Sequence, residues 1–531
     1  MKSLLTSHKW PLITALALTA FYNLTFFQHV LSVYPLSDNF AFVASLVVLL
    51  FCATALVLVL LCIKGGTRWV LGFIFVAAAF AAYYMDTFNV VIDKTMLLNV
   101  AQTDVKETSD LFTGKLVGYV LILGVLPAYL ISRVSLARIS WPKILVHKTL
   151  LVGALIAIAA MVVLPLSNQY SSFFREHKVI RFYANPLTPL YAAGQFAFKN
   201  SDTTPIDVAA VGTDAHIPAT DIHRELIVIV VGETARSDRF SLNGYEKPTN
   251  PLLSKEKVVS FKNFTSCGTS TAVSVPCMFS PFGREDYSEK KFHASENLID
   301  LLAHADVNVL WRDNNSSSKG VAVRAENVLY EDYQTPKKNT ICDIECRDEG
   351  MLVGLQDYID QHPTGDITVV LHQMGSHGPA YYKRYPAAFE QFKPTCQNNL
   401  LEKCSVEEIS NTYDNTILYT DYFLSKVIGL LKNNTPKFES AMFYLSDHGE
   451  SLGENGIYLH GMPYAIAPKA QTHVGAIMWI SDNFDEVTFD QINAKSDQPL
   501  SHDNLFHTTL GFMEIESKAY RPELDILKPN R

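Results

Sequence analysis

Tyr444-Leu-Ser-Asp-His-Gly-Glu-Ser-Leu-Gly-Glu454, followed within one loop by His460-Gly461, is where an apolar run stops and acid and imidazole side chains begin. The run before it, Ser440-Ala-Met-Phe-Tyr-Leu445, is short, apolar and aromatic, the pattern of a strand buried on both faces. Strands of that kind sit in sheets covered by helices, and ligands bind outside their carboxyl ends. Asp447 and His448 fall just past this end, and aspartate oxygen and neutral histidine nitrogen are both zinc ligands. A polar turn in which Asp447 caps a helix and His448 faces solvent accounts for the same pair. Support for a metal has to come from other strands.

Working outward, Leu226 to Val231, Val307 to Trp311, Ile367 to Leu371 and Val474 to Ile480 read as further strands. Amphipathic stretches such as Glu296 to Ala305 and Glu407 to Lys432 separate them. Strand and helix alternating at this spacing predict an α/β domain with a central, mainly parallel sheet covered on both faces. Three strand ends carry chemistry. Leu226 to Val231 runs into Gly232-Glu233, Ile367 to Leu371 into His372 and then His377, and Ala441 to Leu445 into Asp447-His448. Glu233, Asp447 and His448, with His377 and His460 nearby, supply enough oxygen and nitrogen donors for one or two zinc ions.

A hydroxyl nucleophile is available in Cys267-Gly-Thr-Ser-Thr-Ala-Val-Ser-Val-Pro-Cys277, a glycine-bearing turn that enters a helix. Amides at a helix start favour a phosphate, and a metal-activated hydroxyl there can attack phosphorus. Spacing does not choose among Thr269, Ser270 and Thr271, and an N-cap braced by a disulfide explains the same residues. Arg312-Asp-Asn-Asn-Ser-Ser-Ser-Lys319 either brings Lys319 to a phosphate or is a polar loop.

The first third of the 531 residues has a different composition. Trp10 to Phe27, Phe40 to Ile63, Trp69 to Tyr84, Leu116 to Ile131 and Leu150 to Leu166 contain no Asp, Glu, Lys or Arg and read as five membrane spans. Lys2, Lys9, Lys64, Arg68, Arg133, Arg138, Lys143 and Lys148 fall on one side of these spans, which marks it as cytoplasmic. Everything after the fifth span then faces outward. Six of eight cysteines lie there in close pairs, Cys267 with Cys277, Cys342 with Cys346 and Cys396 with Cys404, which favours disulfides and an oxidising compartment. The outer loop from Asp86 to Lys115 places Asn99, Thr103 and Glu107 four apart, lining either a polar pocket or a solvated helix face. Ser171 to Phe198 mixes basic and aromatic residues as interfacial segments do, and Asn200 to Thr220 reads as a linker. The expected domains are 1–170, 171–221 and 222–531. A formal charge of −9 argues against a nucleic-acid partner.

These motifs together resemble the phosphoethanolamine transferases that modify lipid A, most closely the mobile colistin resistance group. The resemblance is carried by Val231-Gly-Glu-Thr-Ala-Arg236, Thr265-Ser-Cys-Gly-Thr-Ser-Thr-Ala272, Trp311-Arg-Asp-Asn-Asn-Ser316 with Ser318-Lys-Gly320, and Leu371-His-Gln-Met-Gly375 with His377-Gly-Pro-Ala380. Ser446-Asp-His-Gly-Glu-Ser-Leu-Gly-Glu-Asn455 and His460-Gly-Met-Pro463 complete it. The resemblance implies an alkaline-phosphatase/sulfatase-like fold and assigns the nucleophile to Thr271. It implies a zinc held by Glu233, Thr271, Asp447 and His448, with His377 and His460 around the phosphoryl group or a second zinc. Lys319 and Ser316 match positions that meet the substrate phosphate or headgroup, and Asn99, Thr103 and Glu107 match headgroup positions near the membrane. Glu450 is then expected to orient a ligand rather than bind metal.

The function so implied is transfer of phosphoethanolamine from phosphatidylethanolamine to a lipid A phosphate through a phosphothreonine-type intermediate, conferring polymyxin resistance. The setting implied is a monomer in the bacterial inner membrane with its catalytic domain in the periplasm. His377 and His460 are the candidate proton handlers, and Lys319 offsets phosphoryl charge. A sulfatase would need a C-x-P-x-R sequence, which Cys277-Met-Phe-Ser-Pro281 does not supply. Transfer to a different envelope glycan stays open. A metal-binding sensor or transporter is the alternative from another class, and uncharged spans count against transport.

Overall fold

The computed structural model describes residues 2–62, 65–102, 109–134, 140–200, 207–325, 327–435 and 437–528. The chain forms two compact units, one of Met1–Leu97 with Phe112–Asp202, the other of Leu98–Leu111 with Thr203–Arg531.

The first unit is helical. Leu36–Leu61, Thr67–Phe88, Gly114–Ser132 and the helical stretch Trp141–Glu176 are each long and apolar enough to cross a membrane. The first expected span differs: Lys9–Phe21 and Leu24–Val33 are two helices bent by 56°, long and apolar enough to cross a membrane only when taken together. The break falls at Asn23 and is stabilised by amide side chains. Asn23 Nδ2 donates to Leu18 O (3.0 Å) and Asn185 O (2.7 Å), and Asn185 Nδ2 donates to Tyr22 O (3.1 Å) and Ala78 O (2.9 Å). Backbone groups that a continuous helix would satisfy thereby find partners where lipid offers none. A π-helical turn at Val120–Val125 is handled in the same way, with Tyr22 Oη donating to Leu123 O. The aromatic stretch after the last span is partly interior: Phe173 and Tyr183 are buried beside Phe26 and Phe42, whereas Phe174 and Tyr191 are exposed. Cys52 and Cys62 are buried thiols.

The second unit is built on a seven-stranded sheet in the order Val258–Ser260, Ala476–Ile480, Glu439–Ser446, Glu225–Gly232, Ile367–His372, Asn308–Asp313, Val328–Asp332. Pairing is parallel except that Ala476–Ile480 runs against both of its neighbours. Two apolar layers explain the unbroken apolar strands. Ile227, Ile229 and Val231 face one layer with Phe443 and Leu445, while Leu226, Val228 and Val230 face the other with Met442 and Tyr444. The 29-residue helix Val406–Asn434 opens with a Ser405/Glu408 capping box and buries Tyr413, Ile417 and Leu424 against the second layer. The three expected cysteine pairs, Cys267–Cys277, Cys342–Cys346 and Cys396–Cys404, are joined.

Candidate active site

Register brings the chemistry to one edge. Val231 pairs with His372 and Gly232 with Ser446 on either side, and Asp313 pairs with His372 one strand further on. Glu233, Asp447, His377 and the Asn314–Lys319 loop therefore leave the sheet from four neighbouring strands. The turn after Ile367–His372 has to pass tightly over the strand beside it. Gly375 has φ +51°, and a Cβ there would stand 2.8 Å from Glu233 O, which excludes a side chain. Asp348 holds that turn by accepting the N–H groups of Met374 (2.8 Å) and Gly375 (3.1 Å).

Glu233, Asp447 and His448 are fully buried and bring one donor atom each within 4.8 Å of one another. His448 Nε2 is 3.4 Å from Glu233 Oε1 and 3.3 Å from Asp447 Oδ2. Asp447 Oδ1 is committed to the N–H groups of Thr234 (3.1 Å) and His448 (2.7 Å), while its buried Oδ2 receives no hydrogen bond. His448 Nδ1 is bonded to Gly449 O at 2.9 Å, which leaves Nε2 as the lone-pair nitrogen. One oxygen and one nitrogen are thus turned toward the same point, and the residues fit a cation with mixed O/N preference. Electrostatics agree. Burial drives His448 down to about 4, against the opposing pull of Asp447, so its imidazole is neutral at neutral pH. Burial opposes ionisation of Asp447, but His448 and the Thr234 amide outweigh it and hold the carboxyl below its ordinary range.

Of the three hydroxyls the sequence left open, Thr271 is the one at this centre. Its Oγ1 donates to Glu233 Oε2 at 3.2 Å and lies 3.4 Å from His448 Nε2. Thr269 Oγ1 is turned away to Met462 O (2.7 Å). Thr271 is the first residue of the helix Thr271–Met278, so first-turn amides lacking helix partners lie at the same end. Cys277 is tied to Cys267 and its sulfur is not a nucleophile.

A second buried group adjoins the first: His448, Glu450 and His460 also bring donor atoms within 4.8 Å. Glu450 Oε2 is bonded to His460 Nδ1 (2.8 Å), and Glu450 Oε1 accepts from Tyr381 Oη (2.7 Å). The His460 ring lies 4.3 Å from that of His448 and 5.5 Å from that of His377. Lys319 Nζ donates to Ser316 Oγ (2.6 Å) and to Gln102 O (3.1 Å), and both Lys319 and Ser316 are largely buried. Asn99 lies on the helix Lys94–Gln102 and is half-buried, whereas Thr103 and Glu107 lie outside the described residues.

The sequence reading missed three residues of this site. Asn315 Nδ2 donates to Glu233 Oε2 (2.8 Å) and so positions that carboxylate. Asp348 braces the turn before His377, as above. His502 accepts the Cys267 N–H through Nδ1 (3.0 Å) and bonds Ser446 O through Nε2 (2.9 Å), linking the Thr271 turn to the Asp447 strand end. Asn315 alone carried a signal, since it follows a strand that ends beside the others.

Two family models match the chain, one described as phosphoethanolamine transferase EptA/EptB over residues 50–200 and one described as sulfatase over residues 225–515. The chain is 42% identical over 513 residues to the phosphatidylethanolamine transferase Mcr-2 of Escherichia coli, covering 95% of this chain and 94% of that protein. It is 38% identical over 533 residues to the phosphoethanolamine transferase EptA of Salmonella typhimurium, covering 98% and 96%. The integral membrane lipooligosaccharide phosphoethanolamine transferase A of Neisseria meningitidis superposes with a TM-score of 0.92 at 35% identity, over 98% of this chain and 99% of that one.

Proposed function

The chain belongs to the phosphoethanolamine transferase family, and from that premise we propose that it moves phosphoethanolamine from phosphatidylethanolamine to a lipid A phosphate through a covalent intermediate on Thr271. The observation that carries this reading is the buried Thr271 hydroxyl, within 3.2 to 3.4 Å of Glu233 and His448 at a helix start. Glu233, Asp447, His448 and Thr271 would hold a zinc ion. Zinc, when bound, supplies a Lewis acid that lowers the pKa of a hydroxyl and offsets phosphoryl charge.

In the first step Thr271 Oγ1 bonds to phosphorus as the bond to the diacylglycerol oxygen breaks. The threonine proton ends on diacylglycerol, with His377 or His460 as carrier. In the second step a lipid A phosphate oxygen bonds to the same phosphorus as the bond to Thr271 Oγ1 breaks, and the acceptor's proton returns to Thr271 through His377 or His460. Glu450 keeps His460 in one orientation, and Tyr381 keeps Glu450 in place. Lys319 and Ser316 would hold a phosphate or the ethanolamine headgroup, and a headgroup-binding role is proposed for Asn99, Thr103 and Glu107 as well. The apolar helices of the first unit support an inner-membrane anchor, and the disulfides of the second support a periplasmic catalytic domain, since disulfides persist in that compartment. It acts as a monomer. Added amines lower the negative charge of lipid A, and resistance to polymyxins follows.

The test is expression in a bacterium lacking such an enzyme, followed by mass spectrometry of its lipid A. Wild-type protein is expected to add phosphoethanolamine and raise polymyxin tolerance. A lipid A spectrum identical to that of the empty host, with folded protein in the membrane, would contradict the assignment of acceptor.

A further inference from the structure

The opposite edge of the sheet, where the parallel strands begin, gathers carboxylates. Glu225 opens the central strand, Asp366 directly precedes Ile367, which pairs with Leu226, and Asp221 lies on the approach to Glu225. One oxygen from each of these three lies within 4.8 Å of the others. Glu225 is 1% exposed, Asp366 is buried and Asp221 is half-buried.

What separates this group from an ordinary acidic surface is Glu225. Neither of its carboxylate oxygens receives a hydrogen bond, and what faces them are other carboxylates. Asp366 and Asp221 each commit Oδ1 to a backbone N–H, of Glu225 (3.0 Å) and of His223 (2.9 Å). The adjacent Arg224 guanidinium attracts Asp366 and Glu225 through space, but its hydrogen bonds go to Gly365 O (2.9 Å) and His362 O (3.0 Å) and it lies over the Phe438 ring. Glu439, at the start of the next strand, shows the contrast. It is met by His223 Nδ1 (3.1 Å) and by the Asp485 N–H (2.9 Å).

Burying an ionised carboxylate is strongly unfavourable, so without a cation Glu225 keeps a proton and shares a hydrogen bond with Asp366. Burial, then Asp366 and Asp221, hold the Glu225 carboxyl well above the usual carboxylate range. A divalent cation would take the place of that proton and hold all three carboxylates ionised. We propose that Asp221, Glu225 and Asp366 form a binding site for a hard divalent cation of the calcium class, separate from the catalytic centre. All donors are carboxylate oxygens, which favour calcium or magnesium over zinc, and the half-open Asp221 side leaves space for water ligands and entry. Glu225 and Gly232 are the two ends of an eight-residue strand. At roughly 3.3 Å per residue the two centres are about 23 Å apart. Bound there, the cation ties the start of the central strand to its neighbour.

Equilibrium dialysis of the zinc-loaded full-length protein in detergent against radioactive calcium tests this. Wild type is expected to bind a single calcium and to melt at a higher temperature as calcium is raised. Glu225→Gln and Asp221→Asn are expected to weaken calcium binding by at least the about tenfold that even indirect metal partners contribute, while zinc content stays at the wild-type level. Asp221 is half-exposed, so its variant reports binding even where Glu225→Gln fails to fold. The proposal is overturned if wild type binds no calcium at millimolar concentration, if Asp221→Asn and Glu225→Gln both bind like wild type, or if Glu233→Gln abolishes calcium binding while those two retain it.

Discussion

Asn315 fixes the direction of the Glu233 carboxylate through a single amide, since its Nδ2 donates both to Glu233 Oε2 and to Gln373 O at 2.8 Å. Removing a partner of this kind costs about 10- to 100-fold in metal affinity. Asn315→Ala is therefore expected to lose zinc at lower chelator concentration than wild type while melting at a similar temperature with zinc in excess. Chelator competition measures it. His502 and His507 make a different prediction. Burial pushes both down to about 4 from 6.5, so the folded protein keeps them neutral. Between pH 6.5 and about 4 the unfolded chain takes up protons that the folded chain refuses, and stability falls as pH drops through that window. Melting temperatures at pH 7 and pH 5 should differ with the lower value at pH 5, and His507→Gln should narrow the gap. At this scale the sequence was legible for Glu233, Asp447 and His448, which are acids and an imidazole placed after apolar strands. For Asn315 only its position after a strand end was legible, because the role of this neutral amide exists only once two strand ends are side by side. Nor did spacing separate Thr271 from Thr269, because the difference lies in which way each hydroxyl turns.

The helix start at Thr271 is braced by the Cys267–Cys277 disulfide, which closes a short loop around this proposed nucleophile. Replacing both cysteines by alanine is expected to cost about 2 to 4 kcal/mol of stability and to slow transfer more than it weakens substrate binding. Denaturant melts and steady-state kinetics separate the two effects. In the helical unit, Asn23→Leu would leave the amide and carbonyl groups of Asn185 and the broken turn without partners. A loss of about 1 to 3 kcal/mol per group follows, read as a lower melting temperature in detergent. Elements with an unbroken apolar run, such as Glu225–Gly232 and Glu439–Ser446, could be read from sequence because both faces are buried. Val328–Asp332 could not. It is a largely exposed edge strand ending in Glu331 and Asp332, and it lacks the apolar pattern that marks interior strands. The break at Asn23 was hidden in the same way, since Asn185, its partner, is 162 residues further along the chain.

Across the whole molecule, the mainly parallel sheet has two edges to which the proposals above give different tasks, phosphoryl transfer at the carboxyl ends and cation binding at the amino ends. Stripping zinc with a chelator should abolish transfer and lower the melting temperature, and adding zinc back should restore both. Calcium should restore neither the activity nor the full stability of zinc-free protein. The Leu98–Leu111 segment clusters with the second unit because Asp110 is gripped by Arg384 (2.7 Å) and Lys383. The central claim is that Thr271 carries the phosphoethanolamine group between donor and acceptor. Mass spectrometry of peptides from purified protein incubated with phosphatidylethanolamine, without lipid A, tests it most directly. The account predicts phosphoethanolamine on the Thr271 peptide, its loss when lipid A is added, and no adduct in Thr271→Ala. A Thr271→Ala protein that still modifies lipid A at the wild-type rate, or an adduct on another residue that turns over at that rate, would contradict it.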